Sequence, residues 1–155
     1  MGEYSTVERT AYPSDAMFTT GKKVKLVRAT ITITNGTHAS GDVFRLVKGL
    51  SFANKILAIF VPKETSAIAG MTDVDFGVYK TNAGGVVDKD ILVDGQSFAA
   101  AVGVGDLIGA NAYKSIGQAL SKNNDKEYSG GVDICATLNA TPSASGTLTF
   151  WIIIA

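Results

Sequence analysis

The sequence predicts an all-β chain, a single jelly-roll or β-sandwich domain, and three observations predict it. Apolar residues recur at every second position wherever a period can be read, the apolar runs are short, and clusters of Gly, Asn, Asp and Ser separate them. A length of 155 residues suits one domain that can bury a core without disulfide staples. With 46% hydrophobic and 18% charged residues the chain is too apolar to remain disordered.

Taken in order, residues 1–22 show neither the helical nor the strand period. With Pro13, scattered Ser and Thr, and aromatics at Tyr4, Tyr12 and Phe18, they are expected to form an extended N-terminal arm. Such an arm is either a frayed terminus or a strap that orders across another subunit. The β domain proper is expected over 23–155. Val27, Ala29, Ile31 and Ile33 alternate with Arg28, Thr30, Thr32 and Thr34, the mark of a half-buried strand. Asn35-Gly36 then offers a hairpin turn, and Val43 to Val47 resumes as strand. The continuous run Ile56 to Val61 predicts a strand buried on both faces, closed by Pro62, which cannot donate to a ladder.

Further on, Val74, Phe76 and Val78 alternate with Asp73, Asp75 and Gly77, and Val132 to Leu138 repeats the pattern. Leu148, Phe150, Ile152 and Ile154 define one face of a last strand. Only 106–121 departs from it. Leu107, Ile108, Tyr113, Ile116 and Leu120 have mixed spacing, compatible with a helix of about four turns or with two strands joined by a Gly bend.

Composition excludes more chemistry than it suggests. Fourteen basic and fourteen acidic residues cancel, and the one basic run, Lys22-Lys23-Val24-Lys25, is too short for a nucleic-acid footprint. No segment approaches the ~20 apolar residues of a membrane helix, and the N-terminus lacks the apolar stretch of a signal peptide. One Cys forms no internal disulfide, and one His builds no multi-histidine metal site. His38 lies in a turn and reads as a surface residue; Cys135 alternates beside core positions and reads as structural. Gly36 and Gly41 have P-loop spacing, but Asp42 and Val43 stand where Lys and Ser or Thr should be.

The Asp residues remain. Residues 73–106 hold six Asp against Lys80 and Lys89. Asp73 and Asp75 share a strand face, while Asp88, Asp90 and Asp94 border a turn, in spacing that fits no EF-hand. They read as solvated loop carboxylates. No catalytic residue, cofactor or metal ligand is therefore expected. Asn139-Ala140-Thr141 fits a glycosylation pattern that matters only in a secretory pathway.

A series of segments carries a family resemblance: Ala29-Thr30-Ile31-Thr32-Ile33-Thr34, Gly41-Asp42-Val43-Phe44-Arg45-Leu46-Val47, Ile56 to Pro62, Thr72 to Tyr79, Lys89-Asp90-Ile91-Leu92-Val93-Asp94-Gly95 and Gly146 to Trp151. In this order, over about residues 27–154, they resemble small head decoration or cement proteins of tailed bacteriophages. The resemblance implies a jelly roll without catalytic residues, bound to the outer surface of the capsid after assembly in the host cytoplasm. It implies the major capsid protein as partner, and a homo-oligomer, dimer or trimer. On that reading Tyr4, Tyr12, Met17 and Phe18 of the arm are inter-subunit anchors, and Lys22, Lys23 and Lys25 meet acidic capsid loops. Competing readings are a carbohydrate- or receptor-binding module of a phage fibre or tail, and a small β enzyme using His38 as its base.

Overall fold

A computed structural model describes residues 2–4, 10–17, 23–120 and 131–155, with the backbone alone at 3, 4, 10–17 and 23. Among the described residues the strands are β1 (Glu3–Tyr4), β2 (Thr10–Met17), β3 (Lys23–Ile33), β4 (Val43–Leu50), β5 (Ile56–Val61), β6 (Val74–Lys80), β7 (Val86–Gln96), β8 (Gly105–Asp106), β9 (Val132–Leu138) and β10 (Gly146–Ile154). One short helix, α1 (Ile116–Leu120), follows β8. They form two sheets in the orders β1-β4-β9-β6-β7 and β2-β3-β10-β5-β8.

Without the first strand of each, two four-stranded sheets remain, antiparallel throughout, with the interleaved order of a jelly roll. The all-β reading is therefore correct. The longest ladder joins β3 to β10, from Gly146 opposite Ile33 to Ile154 opposite Lys25. Their inward residues are the ones the alternation picks out: Val27, Ala29, Ile31 and Ile33 face Leu148, Phe150, Ile152 and Ile154 within one core, all nearly sealed from solvent. Phe150 packs edge-on against Phe76 at 5.2 Å and Phe98 at 5.8 Å, the geometry favoured by aromatic quadrupoles.

Four expectations change. Asn35-Gly36 does turn, with Gly36 at φ 77°, but β3 and β4 lie in different sheets, so the turn crosses the sandwich and closes no hairpin. β5 is buried on one face only, since Ala58 and Phe60 are half-exposed between Ile56, Ile59 and Val61. Of the 106–121 stretch, the described residues 106–120 hold neither a four-turn helix nor a strand pair. Its helix begins at Ile116 because Ser115 and Gln118 cap each other: Ser115 Oγ accepts the Gln118 N–H (3.1 Å) and Gln118 Oε1 accepts the Ser115 N–H (3.0 Å). Asp88, Asp90 and Asp94 lie within strand β7, not beside a turn.

The first 22 residues supply strands to both sheets of their own subunit. β1 pairs parallel to β4 and β2 pairs antiparallel to β3. Gly2 and Asp42 hold the start of the chain, the Gly2 N–H donating to Asp42 Oδ1 at 2.9 Å. Among the described residues no helix is long and apolar enough to cross a membrane.

Candidate functional site

The sheet β2-β3-β10-β5-β8 turns a largely apolar face outward. Arg28, Trp151 and Phe60 sit opposite one another across β3, β10 and β5, and Leu26, Ile153 and Ala58 form the adjacent row. Thr30 and Thr149 follow, their hydroxyls 3.3 Å apart. The strand period leaves these residues outside because their neighbours are the core positions of the same strands. An open groove of about 600 Å³ runs over this face, lined by Leu26, Arg28, Pro62, Lys63, Thr149 and Trp151. Trp151 is 39% exposed, unusual for the largest apolar side chain of a small domain. Among the described residues the lining holds two cations, Arg28 and Lys63, beside the Trp151 ring, so this part of the groove suits an apolar or aromatic group that carries or neighbours negative charge.

The residues expected to make contacts do not gather in one place. Lys25 is exposed on β3, next to Leu26 of the groove. Tyr12 stands opposite Leu26 and Met17 opposite Lys23, so both belong to the strand at this sheet's edge. Tyr4 stands opposite Phe44 in the other sheet. Phe18 and Lys22 lie outside the described residues. The groove residues are not among those expected to make contacts, although Trp151 occupies the outward phase of the very alternation that identifies β10.

The other sheet, β1-β4-β9-β6-β7, has an outer face of opposite character. Arg45 and Asp133 form an ion pair at 2.9 Å with both side chains almost wholly buried. Each makes further bonds. Arg45 donates to the Lys80 and Gly84 carbonyls (2.9 and 2.8 Å), and Asp133 accepts the Gly49 N–H (2.8 Å). Beside them the Tyr79 hydroxyl meets the Thr137 hydroxyl at 2.7 Å, and burial pushes the Tyr79 phenol above its ordinary value although that bond opposes it. Cys135 is buried in the same layer between Val43 and Tyr79, consistent with a structural role.

At the far end of this layer Asp75, Lys89 and Asn139 meet. Lys89 Nζ lies 3.0 Å from Asp75 Oδ2 and donates to Asn139 Oδ1 at 2.8 Å; Asn139 Nδ2 donates to Asp75 (2.6 Å) and Asp73 (2.8 Å). Burial alone would raise the Asp75 carboxyl, but hydrogen bonds from Asn139, the Gly95 N–H and Lys89 outweigh it and hold it below its usual value. The bond to Asp75 raises Lys89 against the opposing effect of burial. Asp75 is thus buried, not a solvated loop carboxylate. Oxygens of Asp75, Asp90 and Asp94 lie within 4.8 Å of one another, but the Lys89 ammonium already sits against Asp75.

His38 is in the expected turn but is buried, not a surface residue. Its Nδ1 accepts the Thr34 N–H (2.8 Å) and its ring tilts against Phe44 at 5.2 Å, which makes it a fastener of the turn. Comparison with protein-family models, curated proteins and solved structures gives no match in any of the three.

Proposed function

We propose that the protein is a non-enzymatic structural component of a bacteriophage virion, a cement or decoration protein that binds the outside of the head at joints between capsomers. One observation carries the reading: a rigid jelly roll leaves an aromatic and cationic groove open around Trp151, a surface built for contact and not for chemistry. Buried Trp and Arg anchors dominate the energetics of protein interfaces. Repetition over many symmetry-related sites turns a modest contact into strong retention. The partners are the major capsid protein and further copies of the chain.

Co-sedimentation with heads stripped of the protein tests this. Saturation at a copy number fixed by shell symmetry, with heads then surviving heat or low salt better, is the expected result. Absence of binding by the folded protein would overturn it. Deleting residues 1–20 removes β1 and all of β2. It should leave the β3–β10 roll folded and weaken head binding.

A second reading has one observation in its favour. The exposed Trp151 ring beside the Thr149 hydroxyl can stack on a sugar, as a receptor-binding fibre or tail module would require. Among the described residues the groove lining offers neither the carboxylate nor the amide that would fix sugar hydroxyls. A glycan array with specific hits abolished by Trp151→Ala would establish this reading over the first.

A further inference from the structure

We propose that Lys89 and Asn139 are the partners of an intramolecular amide cross-link, formed by the chain itself with Asp75 as proton carrier. The three residues come from neighbouring strands: Asp75 from β6, Lys89 from β7 on one side, and Asn139 from just beyond β9 on the other. One oxygen, Asp75 Oδ2, touches both nitrogens that such a reaction must serve. It is 3.0 Å from Lys89 Nζ, the nucleophile, and 2.6 Å from Asn139 Nδ2, the leaving group. Lys89 Nζ is also 2.8 Å from Asn139 Oδ1, so it needs only to move from that oxygen to the carbon about 1.2 Å behind it.

The amide orientation is the one that the surroundings dictate, with NH₂ toward two carboxylates and the oxygen toward an ammonium. The acid is held for the task. Asp75 is 2% exposed, and its second oxygen is fixed by the Gly95 N–H at 2.9 Å. Lys89 reaches this place because β7 bulges over β6. Between the pairs Phe76–Val93 and Val78–Asp88 the register shifts, and the β7 backbone at Asp88 and Lys89 lies directly over Gly77, where a Cβ would collide with it.

The step balances without a co-reactant. Asp75 takes a proton from the Lys89 ammonium, and the neutral amine adds to Cγ of Asn139. Asp75 then protonates Nδ2, the Cγ–Nδ2 bond breaks as the Nζ–Cγ bond forms, and ammonia departs. The second Nζ proton passes through Asp75 to the ammonia, which leaves as ammonium, and Asp75 is again a carboxylate. Positioning of amine, carbonyl and proton carrier supplies the acceleration. The cross-link would tie β7 to β9 across β6, between residues 50 apart in sequence. It would restrict the unfolded chain as a disulfide does, in a protein whose single Cys forms none.

Lys89 and Asp75 rest as an ion pair. The reactive form, neutral amine beside protonated acid, has the same total charge, so its fraction does not vary with pH while the pair holds one proton between them. Among the described residues, the other titratable groups facing it are Asp73, Tyr79, Asp90 and Asp94. The rate of cross-linking should therefore be level through the neutral range, whereas unassisted amine attack would rise about tenfold per pH unit.

Intact-mass measurement of the full chain tests the proposal. The expected mass is short by one ammonia, at purification or after warm incubation, with a branched proteolytic peptide joining Lys89 to Asn139. Lys89→Arg, which keeps a cation at a half-exposed position, should restore the full mass, and Asp75→Asn should do the same. Full mass after prolonged incubation of folded protein overturns the cross-link. A deficit mapping elsewhere, such as to a cyclised Asn35-Gly36, overturns it equally. Cross-linking that persists in Asp75→Asn, or a rate climbing steadily with pH, overturns the role of Asp75.

Discussion

The outer faces of the two sheets differ in a way that the shared core does not reveal. On β4, β9 and β6 the outward residues include Arg45, Asp133, Thr137, Tyr79 and Asp75, polar and nearly sealed, with Val43 and Cys135 packed among them. On β3, β10 and β5 they include Leu26, Ala58, Phe60, Trp151 and Ile153, all apolar and all part-exposed or exposed. Polarity and burial are inverted between the two. Sealing a polar layer is tolerable only when its groups find partners, and Arg45, Asp133, Tyr79 and Asp75 each have them. That face is finished within the subunit. Leaving an apolar layer in water forgoes hydrophobic stabilisation that only another molecule can supply. The open face is the one with a reason to bind.

The sharpest way to break this contrast is to unbalance the sealed face. Asp133→Ala strands the Arg45 guanidinium in a buried site and removes the acceptor of the Gly49 N–H. The expected loss is about 3–5 kcal/mol in urea unfolding. Replacing both members, Arg45→Met with Asp133→Leu, should recover much of it, since the pair's burial itself is costly. A single Asp133→Ala variant as stable as the parent would show that the face is wetter than its burial implies. Next in size is Gly77→Ala. Its methyl group would meet the β7 backbone at Asp88 and Lys89, which cannot move as a flexible side-chain tip could, so a loss of about 3 kcal/mol is expected in the same assay.

On the open face the same measurement should barely respond. Trp151→Ala removes a part-exposed ring that points away from the core, and stability should fall by less than about 1 kcal/mol. Binding to heads should fall instead, by about 2 kcal/mol or roughly 30-fold in affinity, as for a central aromatic anchor. If stability falls heavily and binding stays the same, Trp151 belongs to the fold and not to an interface. Titrating stripped heads with the two proteins separates the outcomes.

What could be read in advance follows the same division. Alternation of apolar with polar residues announces a strand whether or not its polar face stays wet, so β3, β6, β9 and β10 were legible residue by residue, although β6 and β9 are buried on both faces. β7 was not, because Asp88, Lys89, Asp90 and Asp94 break its hydrophobic period and its register shifts against β6. A charged bulged strand looks like a loop until its neighbours are known. The sealed polar layer was hidden for a related reason: Arg45, Asp75 and Asp133 occupy the phase that alternation assigns to solvent, and only the covering by β7 and residues 80–84 makes that phase interior. The meeting of Lys89, Asp75 and Asn139 depends on strand order in the sheet, which no local pattern encodes. Trp151 was the opposite case, a residue whose outward placement was written in the alternation of β10 and whose significance needed Phe60 and Arg28 beside it.

The smallest effect probes the chemistry of the sealed face one hydroxyl at a time. Tyr79→Phe deletes the bond to Thr137 and keeps the ring under the Arg45 guanidinium, whose carbon is 5.9 Å from its centre. The Thr137 hydroxyl loses its partner in a buried place, so about 1 kcal/mol of stability should go. The pH dependence should change as well, and its sign is set by burial. The folded state holds the Tyr79 proton more tightly than the unfolded chain, whose phenol has the ordinary value of 10.0. Below that pH both states are neutral and the contribution is complete. Above it the unfolded chain ionises first, and stability drains until the folded phenol also ionises. Parent and Tyr79→Phe should therefore converge in stability as pH rises past about 10. Parallel urea-midpoint curves through that range would mean that Tyr79 ionises as easily in the fold as out of it, and that this part of the face is open to water.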